Sequence, residues 1–154
     1  MDVLKFTLSG RFAFFKKPDV NTYLYFTYGN IHKVALLGIF GSILGYDGYN
    51  QMNFNQKYKK DFKGIAGDKE YMYPEFYNRL NNLKVATVPK EINIPKKVQV
   101  FNNSVGYASQ EQGGNLIVNE QWLENPGWDI YVVIENEEGK KLSQAIMERN
   151  FAYL

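Results

Sequence analysis

The chain has 154 residues, 45% hydrophobic and 22% charged, enough for one domain with its own core and too apolar for wholesale disorder. It has no cysteine and one histidine, which excludes a disulfide framework and thiolate metal sites and leaves little to hold zinc or haem, so no cofactor is expected. The net charge of +2 conceals a polarity: Met1 to Val100 carries 15 Lys and Arg against 8 Asp and Glu, about +7, whereas Phe101 to Leu154 carries 3 against 8, about −5. Such a division suits an anionic ligand on one part and a different contact on the other, although unevenly solvated faces give the same counts. Met1-Asp2-Val3 leads into an alternating pattern with no leader features, and the longest apolar run, Val34 to Leu44, is too short to span a bilayer. A cytoplasmic protein with no membrane partner is expected.

Val3 to Ser9 alternates, with Leu4, Phe6 and Leu8 on one side and Lys5, Thr7 and Ser9 on the other, which predicts a strand with one face on a core. After Gly10 the extended pattern resumes through Arg11-Phe12-Ala13-Phe14-Phe15, and Lys16-Lys17-Pro18 stops it. Asn21 to Gly29 reads as either a short strand or an aromatic-lined loop. Asn30 is placed to cap a helix over Ile31 to Leu44 that is apolar on nearly all sides and therefore buried on more than one. Gly38 and Gly41 weaken that helix, which predicts close approach of a neighbouring backbone, and Gly45 is placed to end it in a left-handed conformation.

Tyr46 to Tyr71 is polar, carries Lys57, Lys59, Lys60 and Lys63, and reads as a loop with a short helix. Pro74 to Leu83 predicts a helix and Leu83 to Pro89 a strand. Lys96 to Phe101 is a further strand, Asn102 to Gly114 a polar loop or hairpin tip, and Asn115 to Glu120 its return. Leu123 to Gly127 reads as a turn. Trp128 to Glu135 is the strongest strand after the first. Glu137-Glu138-Gly139 reads as another turn, and Lys140 to Arg149 as a helix with Leu142, Ile146 and Met147 inward. Phe151 to Leu154 looks like the approach to another strand. The order of strands and helices predicts an α+β fold, a ferredoxin-like sheet with helices on one face and an open face of the kind RNA-binding modules use.

Three sets of residues are candidates for chemistry. Arg11, Phe14, Lys16, Lys17, His32 and Lys33 flank the first strand and start the buried helix. If those elements pack together, the charges gather at one edge as a rim for phosphates; solvation is the plain alternative. His32 is the one side chain with an ordinary pKa near neutrality, so it is the candidate general acid or base, although no residue is singled out as its partner. Asn102, Asn103 and Tyr107 combine amides and a ring on a loop that suits splayed bases. Glu135, Glu137 and Glu138 read as a solvated turn rather than a metal site. No Walker, GxGxxG, GxSxG or HExxH motif is present.

The combination LKFTLSGRFAFFKKP with HKVALLGIFGSILG resembles the N-terminal signature of the CRISPR-associated RAMP superfamily, and within it the subunit that holds the 5′ handle of the guide RNA in Cascade surveillance complexes. The pattern is Gly10, Ala13 and Phe15 in the turn, Lys17-Pro18, and Gly38, Gly41 and Gly45 in the helix. YPEFYNRLNNLKVATVPKE and FNNSVGYASQEQGGNLIVNEQWLENPGWDIYVV look like the type I-B branch. The resemblance implies a ferredoxin-like palm over residues 1–100 and 123–154, with a thumb-like hairpin inserted at about 101–122. It implies contacts with the crRNA 5′ handle, the repeating backbone subunit and the large subunit. Gly10 to Lys17 and His32-Lys33 would line the handle. One branch of the family cleaves precursor RNA, a role that would fall to His32; the I-B likeness and the single histidine favour the non-cleaving role. Members of the family usually continue past Tyr153-Leu154, so the resemblance admits three readings: a truncated piece of such a subunit, a split or decayed gene, or a short mimic that binds Cascade components and blocks assembly.

Overall fold

The computed structural model describes residues 2–19, 23–52, 73–102 and 117–153. Its elements are β1 (Asp2–Ser9), β2 (Phe12–Ala13), α1 (Lys33–Leu44), α2 (Glu75–Leu80), β3 (Val85–Pro89), β4 (Lys96–Asn102), β5 (Ile117–Glu124), β6 (Gly127–Ile134) and α3 (Glu137–Glu148). A further helical turn lies at 49–52. The fold is α+β, with two small antiparallel sheets of order β1-β6-β3 and β2-β5-β4. The sequence had suggested one sheet. The strands that flank the polar tip, β4 and β5, instead pair with each other, β5 also pairs with β2, and the first sheet is left three-stranded. With β6 between β1 and β3, that sheet has the order a ferredoxin-like arrangement gives its first three strands; a fourth strand is not among the described residues.

The chain divides into two compact units. The first comprises Met1–Phe6, Lys33–Ala86 and Ile130–Leu154, and holds the three helices. Its core is Leu36, Leu37, Phe40, Leu80, Ile130, Val132 and Leu142, all fully buried, with Leu4 and Phe76 nearly so. The alternation of β1 turns Leu4 and Phe6 inward, and the Phe6 ring lies 6.1 Å from that of Phe40 on α1. Each such side chain removed from water contributes about 1.5–3 kcal/mol.

The glycines of α1 have different reasons. A Cβ on Gly41 would stand 2.4 Å from the Cβ of Phe76, so α2 packs directly on the bare backbone there. A Cβ on Gly38 would be 4.0 Å from the Phe76 ring, an ordinary contact, so close packing accounts for Gly41 alone. Gly45 ends the helix at φ 77°, as expected. The start differs: α1 begins at Lys33, and the Asn30 side chain accepts a hydrogen bond from the adjacent Ile31 N–H, fixing the approach to the helix rather than its first turn.

At the other end of the chain, Glu137 to Gly139 is helix, not turn. The Asn136 side chain accepts from the Gly139 N–H at 2.8 Å, and Glu137 and Glu138 suit the positive end of the helix dipole. Within α3, Leu142 is buried and Met147 is 75% exposed. They are five positions apart, which turns Met147 well off the inward stripe. Phe151 to Tyr153 forms no strand: the N–H groups of Ala152 and Tyr153 donate to the carbonyls of Ile43 and Ser42.

Helices α1, α2 and α3 are tied by a polar network. The Tyr46 hydroxyl donates to Glu138 at 2.5 Å, Arg79 pairs with Glu75 at 2.8 Å and approaches Glu138 at 3.6 Å, and the guanidinium lies 4.7 Å from the Tyr46 ring centre. Burial, with the hydrogen bond to Glu138, pushes the Tyr46 phenol up to about 12. Burial alone would lower Arg79, but Glu75, Tyr46 and Glu138 hold it above its ordinary value.

The second unit comprises Thr7–His32 and Thr87–Asp129. Its buried residues include Thr27, Ile31, Leu123 and Trp128. Leu123 and Glu124 belong to β5, so the expected turn shrinks to Asn125-Pro126. Leu123 is fully buried, which is why the strand runs on through it. On the side away from β4, β5 is flanked by β2 at Leu123 and Glu124 and by Tyr25 at Glu120, where the Tyr25 N–H donates to the Asn119 carbonyl and the Gln121 N–H donates to the Tyr25 carbonyl. Asn21 to Gly29 is thus part bridge and part loop, within its described residues.

Candidate nucleic-acid interface

The basic residues of the first 33 positions do not form one rim. Residues 15–17 and 26–28 make a short antiparallel ribbon, with Lys16 opposite Thr27. Successive side chains on such a ribbon point to opposite faces. Lys16 lies with its ammonium 3.8 Å from the Tyr25 ring centre, and Lys17 turns the other way, 5.8 Å from the Tyr28 ring. The ribbon is held at its middle by Thr27, whose hydroxyl accepts from the Phe15 N–H at 2.9 Å and is buried.

His32 is exposed, its ring 5.4 Å from Tyr28 and 6.0 Å from Phe15. Lys33 belongs to the helical unit, where its ammonium donates to the Asn81 carbonyl at 2.7 Å. Phe14 is half-buried between β2 and the ribbon. Asn102 is the exposed last residue of β4, opposite Ile117. Asn103 and Tyr107 lie outside the described residues, as do Lys57, Lys59, Lys60 and Lys63.

The register of β2-β5-β4 assembles a different set. Lys97 is opposite Trp122, Gln99 opposite Glu120, Phe101 opposite Val118 and Phe12 opposite Glu124, and directly opposed residues share a face. Tyr25 bridges Glu120 and therefore joins the same face. The Phe12 and Trp122 rings are 5.8 Å apart. Two cations share the Phe12 ring, Lys97 at 4.0 Å and Arg11 at 5.5 Å, and Lys16 covers Tyr25. Each cation is held near a ring by an attraction of about 0.5–1 kcal/mol at an exposed site, weak enough to be exchanged for a phosphate. The two carboxylates there are Glu120, which accepts from the Trp122 indole N–H at 2.8 Å, and Glu124. This face offers flat rings to stack upon and three cations, Arg11, Lys16 and Lys97, to hold an anionic backbone.

Of the residues singled out from sequence, the structure brings Arg11 and Lys16 into this group and leaves Lys17, His32, Lys33 and Asn102 elsewhere. Phe12, Tyr25, Lys97 and Trp122 were missed. Alternation along Lys97-Val98-Gln99-Val100-Phe101 and Glu120-Gln121-Trp122 does put ring- and charge-bearing residues in phase, but only register places the two runs side by side.

The open face of the first sheet is less suited to anions. Lys5 lies 5.4 Å from the Tyr131 ring, but Lys84 pairs with Glu135 and Lys90 with Asp129, each at 2.7 Å. Glu137 and Glu138 pair with Lys141. Among the described residues no cluster of three His, Cys, Asp or Glu side chains is placed to hold a metal, and no helix is long and apolar enough to cross a membrane. In comparisons with known proteins, no family model and no characterised sequence matches the chain.

Proposed function

We propose that the protein is a non-catalytic, cytoplasmic RNA-binding subunit of a type I CRISPR Cascade surveillance complex, which holds the 5′ handle of crRNA and contacts the repeating backbone subunit and the large subunit. The observation that supports RNA as the ligand is the shared face of Arg11, Lys16 and Lys97 with Phe12, Tyr25 and Trp122. Rings and cations interleaved on a strand pair are what an unpaired RNA segment requires. The assignment to Cascade rests on the likeness of Val3 to Gly45 to the RAMP signature, and the first-sheet order β1-β6-β3 agrees with the palm that likeness implies.

The test is binding of a repeat-derived handle RNA by fluorescence anisotropy across a salt series, followed by co-purification with the backbone and large subunits. Salt-sensitive binding, weakened in Lys16→Ala/Lys97→Ala, supports the reading. Binding to the protein subunits without affinity for RNA would replace it with a mimic that blocks assembly. Cleavage of repeat RNA without metal, lost in His32→Ala, would replace it with a nuclease.

A further inference from the structure

The ring-and-cation face divides its work unevenly, and the division bears on what kind of RNA segment it takes. Arg and Lys read guanine through donors alone, whereas the side chains that offer both a donor and an acceptor to a base edge are the amides. On the β4–β5 pair those side chains are mostly on the other face: Asn102, Asn119 and Gln121 alternate with Lys97, Gln99, Glu120 and Trp122. Asn119 is moreover committed, its amide donating to the Tyr23 carbonyl at 3.0 Å. Gln99 is the one amide on the ring face of this pair, and its Nε2 is turned to the Val100 carbonyl at 3.5 Å. The indole N–H of Trp122, the other potential reader, is taken by Glu120. What remains toward a ligand is the half-buried rings of Phe12, Tyr25 and Trp122, the Glu124 carboxylate, and the cations Arg11, Lys16 and Lys97, each of which lies over a ring rather than projecting free toward a base edge.

We infer that this face is a sequence-tolerant stacking platform for an unpaired strand: it holds nucleotides by ring stacking and phosphate contact and does not read their bases. The charge complementarity is with a polyanion, and the half-buried rings of Phe12, Tyr25 and Trp122 are matched by bases that are free of a complementary strand. Duplex RNA presents its bases edge-on inside the helix and offers these rings nothing. The inference rests on the RNA-binding reading above and deepens it: the handle is held at this face, and any preference for its sequence arises elsewhere.

The experiment measures the full chain against four probes at one salt concentration: the handle RNA, a scrambled RNA of the same length, a DNA strand of the handle sequence, and the handle annealed to its complement. The expected result is that the three unpaired probes bind within about threefold of one another and the duplex about tenfold or more weaker. Intrinsic tryptophan emission is followed in the same titrations. Unpaired strands quench it in the natural protein, and Trp122→Phe, which keeps a ring in place, removes most of the quenching without losing the fold. Lys97→Ala weakens all three unpaired probes alike, and Gln121→Ala, on the opposite face, changes none. A handle RNA bound tenfold tighter than its scrambled form would overturn the inference while leaving RNA binding intact. Absence of quenching by bound RNA would overturn it equally, since the strand would then lie off the rings. Absence of binding to every probe would remove both the inference and the RNA reading.

Discussion

Lys16 lies with its ammonium 3.8 Å above the Tyr25 ring, while Lys17, its neighbour in the chain, occupies the opposite side of the same ribbon beside Tyr28. Two adjacent lysines that read in the sequence as one basic feature therefore serve different surfaces. Lys16 joins Arg11 and Lys97 on the face of Phe12 and Trp122; Lys17 lies toward Tyr28.

The pair can be separated by salt dependence. Lys16→Ala is expected to weaken binding of unpaired RNA and to lower the slope of log affinity against log salt by about one phosphate contact. Lys17→Ala is expected to leave that slope within error. Equal effects of the two substitutions would mean that RNA follows the ribbon rather than the ring face. Anisotropy titrations at several salt concentrations make the measurement.

Packing of α2 on α1 depends on the absence of a side chain at Gly41. Since an added Cβ would meet the Phe76 Cβ at 2.4 Å, Gly41→Ala is expected to destabilise the protein by about 1–3 kcal/mol, as overpacked cores do. Gly38→Ala has room and gains helix propensity, so it is expected to be neutral or stabilising by up to about 1 kcal/mol. Thermal denaturation distinguishes them, each kcal/mol moving the midpoint by about 2–4 °C in a chain of this size.

Stability at high pH follows from Tyr46. Its phenol is pushed up to about 12 in the folded protein, against an ordinary value of 10.0. Between those values the folded state keeps a proton that the unfolded state loses, so the contribution of Tyr46 is fully present below about pH 10 and lost as pH rises toward 12. Tyr46→Phe is expected to flatten this part of the stability curve and to cost about 1 kcal/mol at neutral pH through loss of the hydrogen bond to Glu138. Denaturant midpoints measured from pH 8 to 11.5 provide the check.

The cap of α3 is a separate, local contribution. Asn136→Ala removes the acceptor of the Gly139 N–H and is expected to cost about 1 kcal/mol, with Asn136→Asp restoring most of it. Urea denaturation of the three proteins tests the series.

How far the chain could be read from sequence differs by element. The alternation Leu4-Phe6-Leu8 was sufficient for β1, and the Pro74 start with Phe76 and Leu80 inward was sufficient for α2. Both signals are local, because the side chain that faces the core is set by the period of its own element. Asn136 as a cap was missed because Glu137-Glu138-Gly139 has the composition of a turn, and only the Gly139 N–H reaching back to Asn136 tells the two apart. The site was less legible. Arg11 and Lys16 were recognised by charge, but Phe12, Tyr25, Lys97 and Trp122 come from four separate segments and mean nothing together until β5 is set between β2 and β4.

The sequence by itself determined that the chain is α+β, that β1 and α1 hold a core, and that cations cluster in its first part, since periodicity and composition belong to each segment alone. Tertiary structure decided which cations share a face with which rings. Strand register, a pairing between residues distant in the chain, shifts every side chain to the opposite face when it slips by one position, and no local pattern carries it.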